Sequence, residues 1–225
     1  MKWADIRRNA KNFGWSGVIY DFFYRAVNRL TFLKILQGMT VTLATLDPQF
    51  LQANSQYRYL FLDEKQLREY SRDTTNHLST PFLDQALAKG DYCYAVIDGD
   101  RLASFGWYSQ LPTHITEDLV LHFNNSYVYM YHGYTNDAYR GQRLHAIGMA
   151  KALQEFSHKG FKGLISYVEC NNYSSLKSVY RMGYKNFGRL TVVKMLGKYF
   201  VRRDRNCLAY EFNLKANQPP NRRSS

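Results

Sequence analysis

Hydrophobic and polar residues recur along the chain at the two-residue period of a strand in some regions and at the longer period of a helix in others. Alternating or β-branched runs predict strands over 39–46, 57–62, 91–97, 101–109, 127–134 and 163–169. Apolar residues spaced three or four apart predict helices over 63–73, 80–90, 143–160 and 173–183. Strands and helices mixed in this order predict an α+β fold with a mixed sheet.

The remaining segments complete one domain over residues 39–214. An Asp-Gly step at Asp98 predicts a tight hairpin turn between the strands on either side of it. The polar segment 111–126 predicts a loop or a short helix. A last basic hairpin is expected from 190–201 and 206–214, and residues 215–225 are expected to form a disordered basic tail.

Residues 1–38 are rich in aromatic residues and arginine and predict an amphipathic helical extension. Ser16 is a suitable N-cap, and Gly38 a suitable C-terminal stop. One face of this helix carries charged residues at four-residue spacing, namely Asp21, Arg25 and Arg29. The helix either lies on a membrane surface through residues 16–37 or packs its apolar face on its own domain.

The tyrosines of one predicted strand change parity. Tyr127, Tyr129 and Tyr131 stand at every second position, and the next tyrosine is Tyr134. A β-bulge inserts one extra residue, so that every later side chain changes face, and a glycine within a strand often marks one. The pattern therefore predicts a bulge at Gly133.

Such a bulge parts the strand from its neighbour and leaves backbone N–H and C=O groups available to a ligand that lies alongside. Directly afterwards, residues 136–145 form a turn that leads into a helix N-terminus, where unpaired N–H groups attract phosphate. Arg140 and Arg143 add positive charge. A ligand with a peptide-like arm and a pyrophosphate would suit this site, because the arm could pair with the parted strand and the pyrophosphate could bind at the helix N-terminus.

Composition and charge narrow the class of protein. The apolar fraction is 45% and the aromatic fraction 16%, as in a folded chain, and the formal net charge of +12 suits a polyanionic partner. Three widely spaced cysteines argue against a disulfide framework or a zinc site. Without an apolar run long enough to span a bilayer, the chain is expected in the cytoplasm or peripherally on the inner face of a membrane.

At this point the residues resemble the GNAT superfamily of acyl-CoA-dependent N-acyltransferases. Its mark is a splayed strand followed by [RQ]-x-x-G-x-[GA] at a helix start, and YRGQRLH stands in that place. Arg140 matches the first position, whereas Arg143 and His145 replace the two later glycines. The segment from Asn172 to Gly183-Tyr184 is similar to the family's N-x-x-S…G-[FY] segment.

The resemblance implies a mostly antiparallel GNAT-like sheet flanked by helices, with a splayed central strand. It implies acetyl-CoA or another acyl-CoA as donor, and no metal. The residues expected to bind the donor are Gly133, Tyr134, Thr135, Arg140, Gly141, Gln142, Arg143, Leu144, His145, Asn172 and Ser175. The family commonly places an acidic tyrosine four residues before the second motif's glycine, where Val179 stands, so the neighbouring Tyr180 is the candidate acid.

Transfer from a thioester to an amine needs alignment, removal of an amine proton and stabilisation of an oxyanion. A backbone N–H near Tyr134, freed by the bulge, is the predicted oxyanion donor. His132, beside the predicted bulge, and Glu169, at the end of the next strand, are the candidate bases. Cys170 has no base beside it in the sequence and is interpreted as structural.

The acceptor is not specified by the sequence. Acceptors with an amine, or less favourably a hydroxyl, are expected among small molecules and components of the cell envelope, and His114, Glu117 and His122 could face them. An acidic acyl carrier protein is an alternative donor that the positive charge would suit. A basic protein with nineteen tyrosines could also bind single-stranded nucleic acid, or bind coenzyme A without turnover, although no known nucleic-acid motif is present.

Overall fold

The computed structural model describes residues 3–30 and 32–216, which form two sheets and five α-helices. The helices are α1 (Trp3–Leu30), α2 (Glu64–Ser71), α3 (Thr80–Lys89), α4 (Leu144–His158) and α5 (Tyr173–Arg181). The strands are β1 (Phe32–Val41), β2 (Arg58–Leu62), β3 (Tyr92–Asp98), β4 (Arg101–Ser109), β5 (Thr113–Thr116), β6 (Leu119–His122), β7 (Tyr127–Thr135), β8 (Gly163–Glu169), β9 (Lys185–Met195), β10 (Lys198–Arg203) and β11 (Asn213–Ala216).

The main sheet has eight strands in the order β10-β9-β1-β8-β7-β4-β3-β2, and a smaller sheet has the order β11-β6-β5. In the main sheet, β7 and β8 pair in parallel and the other neighbouring strands pair antiparallel. A parallel pair needs a crossover connection, and α4 supplies it between β7 and β8. The predicted mixed, mostly antiparallel sheet is confirmed.

Helices cover both faces of the main sheet. On one face α4 buries a row of small and apolar side chains against the central strands, including Ala150, Leu153 and Phe156. On the other face, α2 and α3 cover the β3–β4 hairpin, and the smaller sheet covers β1, β8 and β9. Burying both faces of the central strands puts β7 and β8 at the middle of the fold, with their C-terminal ends at one edge.

Local sequence signals account for several helix ends. Asp63 accepts a hydrogen bond from the Gln66 N–H at 2.8 Å, and the Gln66 side chain accepts one from the Asp63 N–H at 3.0 Å. This reciprocal pair satisfies two backbone donors at the start of α2. The hairpin turn at Asp98-Gly99-Asp100 is present as predicted, between β3 and β4.

Four sequence predictions are wrong in their secondary structure. Residues 32–38 lie in β1, between β8 and β9, and do not continue the N-terminal helix, which also breaks at Gly14. Segment 111–126 holds two strands, β5 and β6. The last hairpin turns at Leu196-Gly197, within the predicted first strand, and residues 213–216 pair with β6 instead. Of the predicted tail, residues 215–216 belong to β11, and 217–225 lie outside the described residues.

Candidate functional site

A gap opens between the two central strands. β7 and β8 pair in parallel only from Tyr127 to Tyr129, opposite Gly163 to Ile165. Beyond these pairs, residues 130–135 keep their pairing with β4, and the rest of β8 keeps its pairing with β1. Each strand therefore has one unpaired side along the gap. The splayed strand predicted from the sequence is confirmed.

The bulge in β7 lies at Tyr131. Opposite the adjacent residues Trp107 and Tyr108 of β4 stand three residues of β7, 130–132, and Tyr131 is the extra one. The predicted position at Gly133 is therefore wrong by two residues. The bulge sits at the point where β7 leaves β8, so the distortion of the ladder and the opening of the gap coincide.

The change of parity among the tyrosines follows from this extra residue. The rings of Tyr129 and Tyr131 stack with their centroids 5.8 Å apart. Tyr131 and Tyr134, three residues apart, pack in the same cluster beneath α2 and α3. In a regular strand, residues three apart would point to opposite faces. The parity change read from the sequence is thus a real change of face.

Hydrogen bonds show which way the backbone of β7 points after the bulge. The Ser104 hydroxyl donates to the Tyr134 carbonyl at 2.7 Å, and the Asn136 N–H donates to the Ala103 carbonyl at 3.0 Å. Ser104 and Ala103 belong to β4. The backbone groups of residues 134 and 136 therefore face β4, away from the gap.

Backbone direction alternates along a strand, so the residues on either side of Tyr134 point the other way. The N–H and C=O groups of Gly133 and Thr135 accordingly face the gap. The Tyr134 N–H itself faces β4, so the predicted oxyanion donor near Tyr134 would be the N–H of one of its two neighbours. Gly133 and Thr135 are the backbone donors that a ligand in the gap would meet.

Gly133 is a glycine because α4 approaches it closely. A Cβ atom added to Gly133 would lie 2.4 Å from Cε1 and 2.5 Å from Nε2 of His145. The residue opposite Gly133 in β4 is also a glycine, Gly106. His145 occupies the last motif position, where the GNAT pattern has glycine or alanine. The absence of a side chain at Gly133 leaves the space that the larger His145 side chain fills.

The segment before α4 has the backbone conformation of a glycine-rich turn. Gly141 has φ 86° and Arg143 has φ 61°, both in the left-handed region. The first helical hydrogen bond runs from the Ile147 N–H to the Arg143 carbonyl at 3.0 Å. Within the described residues, no hydrogen bond satisfies the three N–H groups before Ile147, and no side chain caps the helix. This helix start can accept an anion.

An open cleft of ≈ 160 Å³ lies at this helix start. It is lined by Phe50, Thr135, Tyr139, Arg140, Gly141, Arg143, Leu144, His145, Ala146, Ser178 and Arg181. Six of these residues were predicted to bind the donor. The cleft therefore lies between the end of the parted strand, at Thr135, and the predicted phosphate-binding turn.

Three arginines give the cleft its charge. Arg140 is two-thirds exposed and pairs with Asp137 at 2.7 Å, and Arg143 donates to the Gln49 side chain at 2.9 Å. Arg181, on α5, was missed by the sequence analysis. Its signal was its spacing of three residues from Ser178, which puts both on one face of a predicted helix.

Other predicted residues have structural roles. The Gln142 side chain accepts a hydrogen bond from the Tyr57 hydroxyl at 2.7 Å, and the Leu144 side chain is buried. Asn172 caps α5 by accepting from the Ser175 N–H at 3.2 Å. Asn172 and Ser175 do not line the cleft, so the second motif holds α5 in place beside it.

His132 is the candidate base that the structure places at the bulge. Its ring lies between Phe82 and Phe105, at centroid distances of 5.1 Å and 5.8 Å. Its Nε2 is buried and has no hydrogen-bond partner among the described residues. Burial, with a smaller contribution from nearby His77, lowers the pKa of His132, so the ring is neutral at pH 7.

The other predicted catalytic side chains are engaged elsewhere. Glu169 forms an ion pair with Lys34 at 2.6 Å. The Tyr180 hydroxyl donates to the Gln37 side chain at 3.3 Å, and the Tyr180 ring is about half exposed. Cys170 lies 3.2 Å from the Tyr20 hydroxyl. In the described part of the chain, no three acidic, histidine or cysteine side chains gather as a metal site would require.

The left-handed backbone at Arg143 leads to a stability prediction. A residue with a Cβ costs about 1 kcal/mol in this conformation, and glycine does not. We expect Arg143→Gly to be about 1 kcal/mol more stable than Arg143→Ala, measured by urea denaturation. Both variants lose the guanidinium and its bond to Gln49, so only the backbone differs between them. Equal stabilities would show that the turn relaxes in the alanine variant.

The environment of His145 leads to a pH prediction. Burial lowers the pKa of His145 to about 4, against a smaller opposing hydrogen bond to the Phe105 backbone. Between this pKa and the ordinary value of roughly 6.5, the unfolded chain binds a proton that the folded chain does not. The free energy of unfolding should therefore fall as the pH drops through this window, and His145 should contribute nothing above it.

We expect the wild type to lose about 2 kcal/mol more stability between pH 6.5 and pH 5 than His145→Gln does. Urea denaturation at the two pH values measures this difference. His158→Gln, at an exposed residue of the same helix, is the matched control and should follow the wild type. Identical losses in wild type and His145→Gln would contradict the lowered pKa.

Comparisons with known proteins find only distantly similar solved structures. No protein-family model and no curated protein matches the chain. Solved structures similar to it include a GNAT-family protein from Novosphingobium aromaticivorans (14% identity, TM-score 0.49, 72% of this chain and 64% of that one). A GNAT-family acetyltransferase from Colwellia psychrerythraea is 12% identical with a TM-score of 0.49, and the match covers 75% of this chain and 59% of that one. A GCN5-related N-acetyltransferase-like protein from Streptococcus suis is 13% identical with a TM-score of 0.47, and the match covers 84% of this chain and 68% of that one.

The chain spans less than two thirds of the length of the first two of these structures. At these identities and TM-scores the matches are similarities only. The fold follows from the structure itself: the strand order, the parallel pair of β7 and β8 that parts beside the bulge, and the uncapped start of α4. The chain has a GNAT-like fold, as its motifs predicted.

Proposed function

We propose that this protein transfers an acyl group from a coenzyme A thioester to an amine by direct attack in a ternary complex. The observation that carries the proposal is the gap between β7 and β8, which leads directly to the uncapped start of α4. One side of the gap offers backbone groups to an extended arm. The helix start and its arginines offer donors and charge to phosphates.

The residues present fit the donor at both ends. The backbone groups of Gly133 and Thr135 would pair with the amides of the pantetheine arm, much as a neighbouring strand would. The N–H groups of His145 and Ala146 would donate to the pyrophosphate, with Arg140 and Arg143 neutralising its charge. The left-handed backbone at Gly141 and Arg143 is compatible with this, because turns that contain left-handed residues are common in anion-binding sites.

The chemistry would need little beyond positioning. As the amine nitrogen forms a bond to the thioester carbon, the carbonyl oxygen gains negative charge, which the Gly133 or Thr135 N–H would stabilise. The amine proton would pass to neutral His132, whose Nε2 is unpartnered. The carbonyl then re-forms as the carbon–sulfur bond breaks, the thiolate takes up a proton from water, and His132 releases the amine proton to water. Glu169 is a weaker candidate base because Lys34 neutralises its charge.

Two measurements test the proposal. Calorimetry with acetyl-CoA, and with thioesters of increasing chain length, should give saturable binding that an oligonucleotide at the same salt concentration does not give. Release of free thiol in the presence of a panel of amines should then exceed hydrolysis without acceptor. Binding only to the oligonucleotide would overturn the proposal, and binding to acetyl-CoA without release on any amine would leave a non-catalytic binding protein.

An acyl carrier protein remains the alternative donor. The formal net charge of +12 suits an acidic carrier. Thiol release from an acyl carrier protein thioester, faster than from the same acyl group on coenzyme A, would establish that donor. The comparison of the two donors also tests whether the cleft binds a pyrophosphate, because a carrier protein presents only one phosphate beside its pantetheine arm.

A further inference from the structure

One side of α1 exposes a stripe of large apolar side chains. Trp15, Ile19, Phe22 and Phe23 are 64–69% exposed. Their spacing puts them within an arc of about 100° on the helix surface. Scattered exposed apolar residues are ordinary, but a contiguous set of this size, including three aromatic rings, marks a surface that contacts a partner.

The opposite side of α1 is fixed to the domain. Asp21 and Tyr24 are each 4% exposed, and they stand about half a turn away from the stripe. The Tyr24 hydroxyl accepts a hydrogen bond from the Ile35 N–H at 3.0 Å, and Asn171 donates to Asp21 at 3.0 Å. Because these contacts hold the helix by its polar side, the apolar stripe faces outward.

The turn between β9 and β10 exposes a second apolar surface. Leu196 is fully exposed and Met195 is 56% exposed. The residue before Met195 is Lys194, which pairs with Phe32, and Phe32 follows the end of α1 by two residues. The turn and the end of α1 therefore lie at the same end of the main sheet, where β7 and β8 also end.

The two segments that carry these surfaces are rich in positively charged residues. The sequence of α1 has five lysines and arginines and two aspartates, and one of the aspartates is the buried Asp21. Residues 194–205 have five lysines and arginines and one aspartate. Aromatic residues flanked by lysine and arginine are the combination that binds the interface of an anionic bilayer.

We propose that α1 and the β9–β10 turn form one docking face for an anionic phospholipid bilayer. The docking face consists of Trp15, Ile19, Phe22, Phe23, Met195 and Leu196. Two apolar projections from distant parts of the chain suit a flat surface, and the excess of lysine and arginine in the sequence of both segments suits lipid phosphates. No helix of the described residues is long and apolar enough to cross a membrane. Docking in this way brings the open ends of β7 and β8 to the bilayer surface.

Vesicle flotation tests the docking face. The full chain should float with vesicles of equal parts phosphatidylcholine and phosphatidylglycerol, and only weakly with phosphatidylcholine alone. Phe22→Glu and Leu196→Asp, each in a different projection, should each weaken binding about tenfold or more. Leu111→Asp is the matched control, because Leu111 is about half exposed and lies outside the docking face. It should bind as the wild type does.

A second measurement uses the wild type itself, so that its result does not depend on whether the charged variants fold. Fluorescence of the wild type should shift to shorter wavelength on adding anionic vesicles, and Trp15→Phe should lose the shift. Loss of binding with only one of Phe22→Glu and Leu196→Asp would overturn the single docking face. A dimer in light scattering that Phe22→Glu dissociates, without vesicle binding by the wild type, would show that a second copy covers the stripe instead.

The vesicle assays need no donor or acceptor. Failure to bind acetyl-CoA would leave the docking face standing, and failure to bind vesicles would leave the proposed acyl transfer standing. The two proposals therefore succeed or fail separately.

Discussion

Replacing Gly183 by alanine should destabilise the protein by about 3 kcal/mol or more, because two costs fall on one residue. Gly183 has φ 95°, a conformation that side chains with a Cβ rarely adopt. A Cβ there would also lie 1.9 Å from the Thr45 carbonyl oxygen and 2.9 Å from its carbon. Both are backbone atoms, so they cannot rotate away as the end of a flexible side chain would.

Gly160→Ala separates the two costs. Gly160 has φ 92°, nearly the same as Gly183, and a Cβ there would meet no atom within 4 Å. The Gly160→Ala variant should therefore lose only the free energy that the left-handed backbone costs a residue with a Cβ, about 1–2 kcal/mol. Urea denaturation followed by circular dichroism measures both variants. Equal losses would mean that the segment around Thr45 moves aside without cost, contrary to the contact described.

The contact at Gly183 also matters for the cleft. The Asp47 N–H donates to the Met182 carbonyl at 3.0 Å, so the segment after β1 is held against the end of α5. Arg181, two residues earlier, lines the cleft. In the sequence, Gly183 was read as a helix stop and as part of the second motif. Its structural reason is the close approach of a distant backbone, which no local pattern could indicate.

Much of the fold could be predicted because its signals are local. The turn at Gly99 and the apolar period of α4 depend on residues close in sequence, and the structure confirms them. The first part of β1, residues 32–38, was missed because FLKILQ is apolar enough to continue an amphipathic helix. Pairing on both sides, with β8 and β9, makes it a strand, and those partners lie more than 120 residues away.

The candidate site was predictable in kind but not in position. The parity of the tyrosines reveals that β7 contains an extra residue, but parity alone allows it anywhere between Tyr131 and Tyr134. Its position depends on the register with β4, which the pattern of β7 does not contain. The glycine at 133 suggested the wrong position because it is needed for a different reason, the ring of His145.

The close packing of His145 on Gly133 leads to the second prediction of a large effect on stability. Gly133→Ala should cost about 1–3 kcal/mol, because the new Cβ would displace the His145 ring and its hydrogen bond to the Phe105 backbone. His145→Ala should also be destabilising, since it leaves a space above the strand. The double variant should be more stable than the sum of the two losses predicts, by about 1–2 kcal/mol.

The same set of two single variants and one double variant, a double-mutant cycle, also separates effects on packing from effects on donor binding. Alanine at position 145 restores the residue type of the GNAT pattern, so the double variant should keep its affinity for acetyl-CoA, whereas Gly133→Ala alone should lose it as the displaced ring enters the cleft. Calorimetry and urea denaturation of all four proteins measure both cycles. Gly106→Ala, in the opposite strand, is the control and should show no coupling to His145, because a Cβ there meets Tyr108 at 3.1 Å and not the ring. Strict additivity between positions 133 and 145 would contradict the contact and, with it, the explanation of why this strand has a glycine where the gap opens.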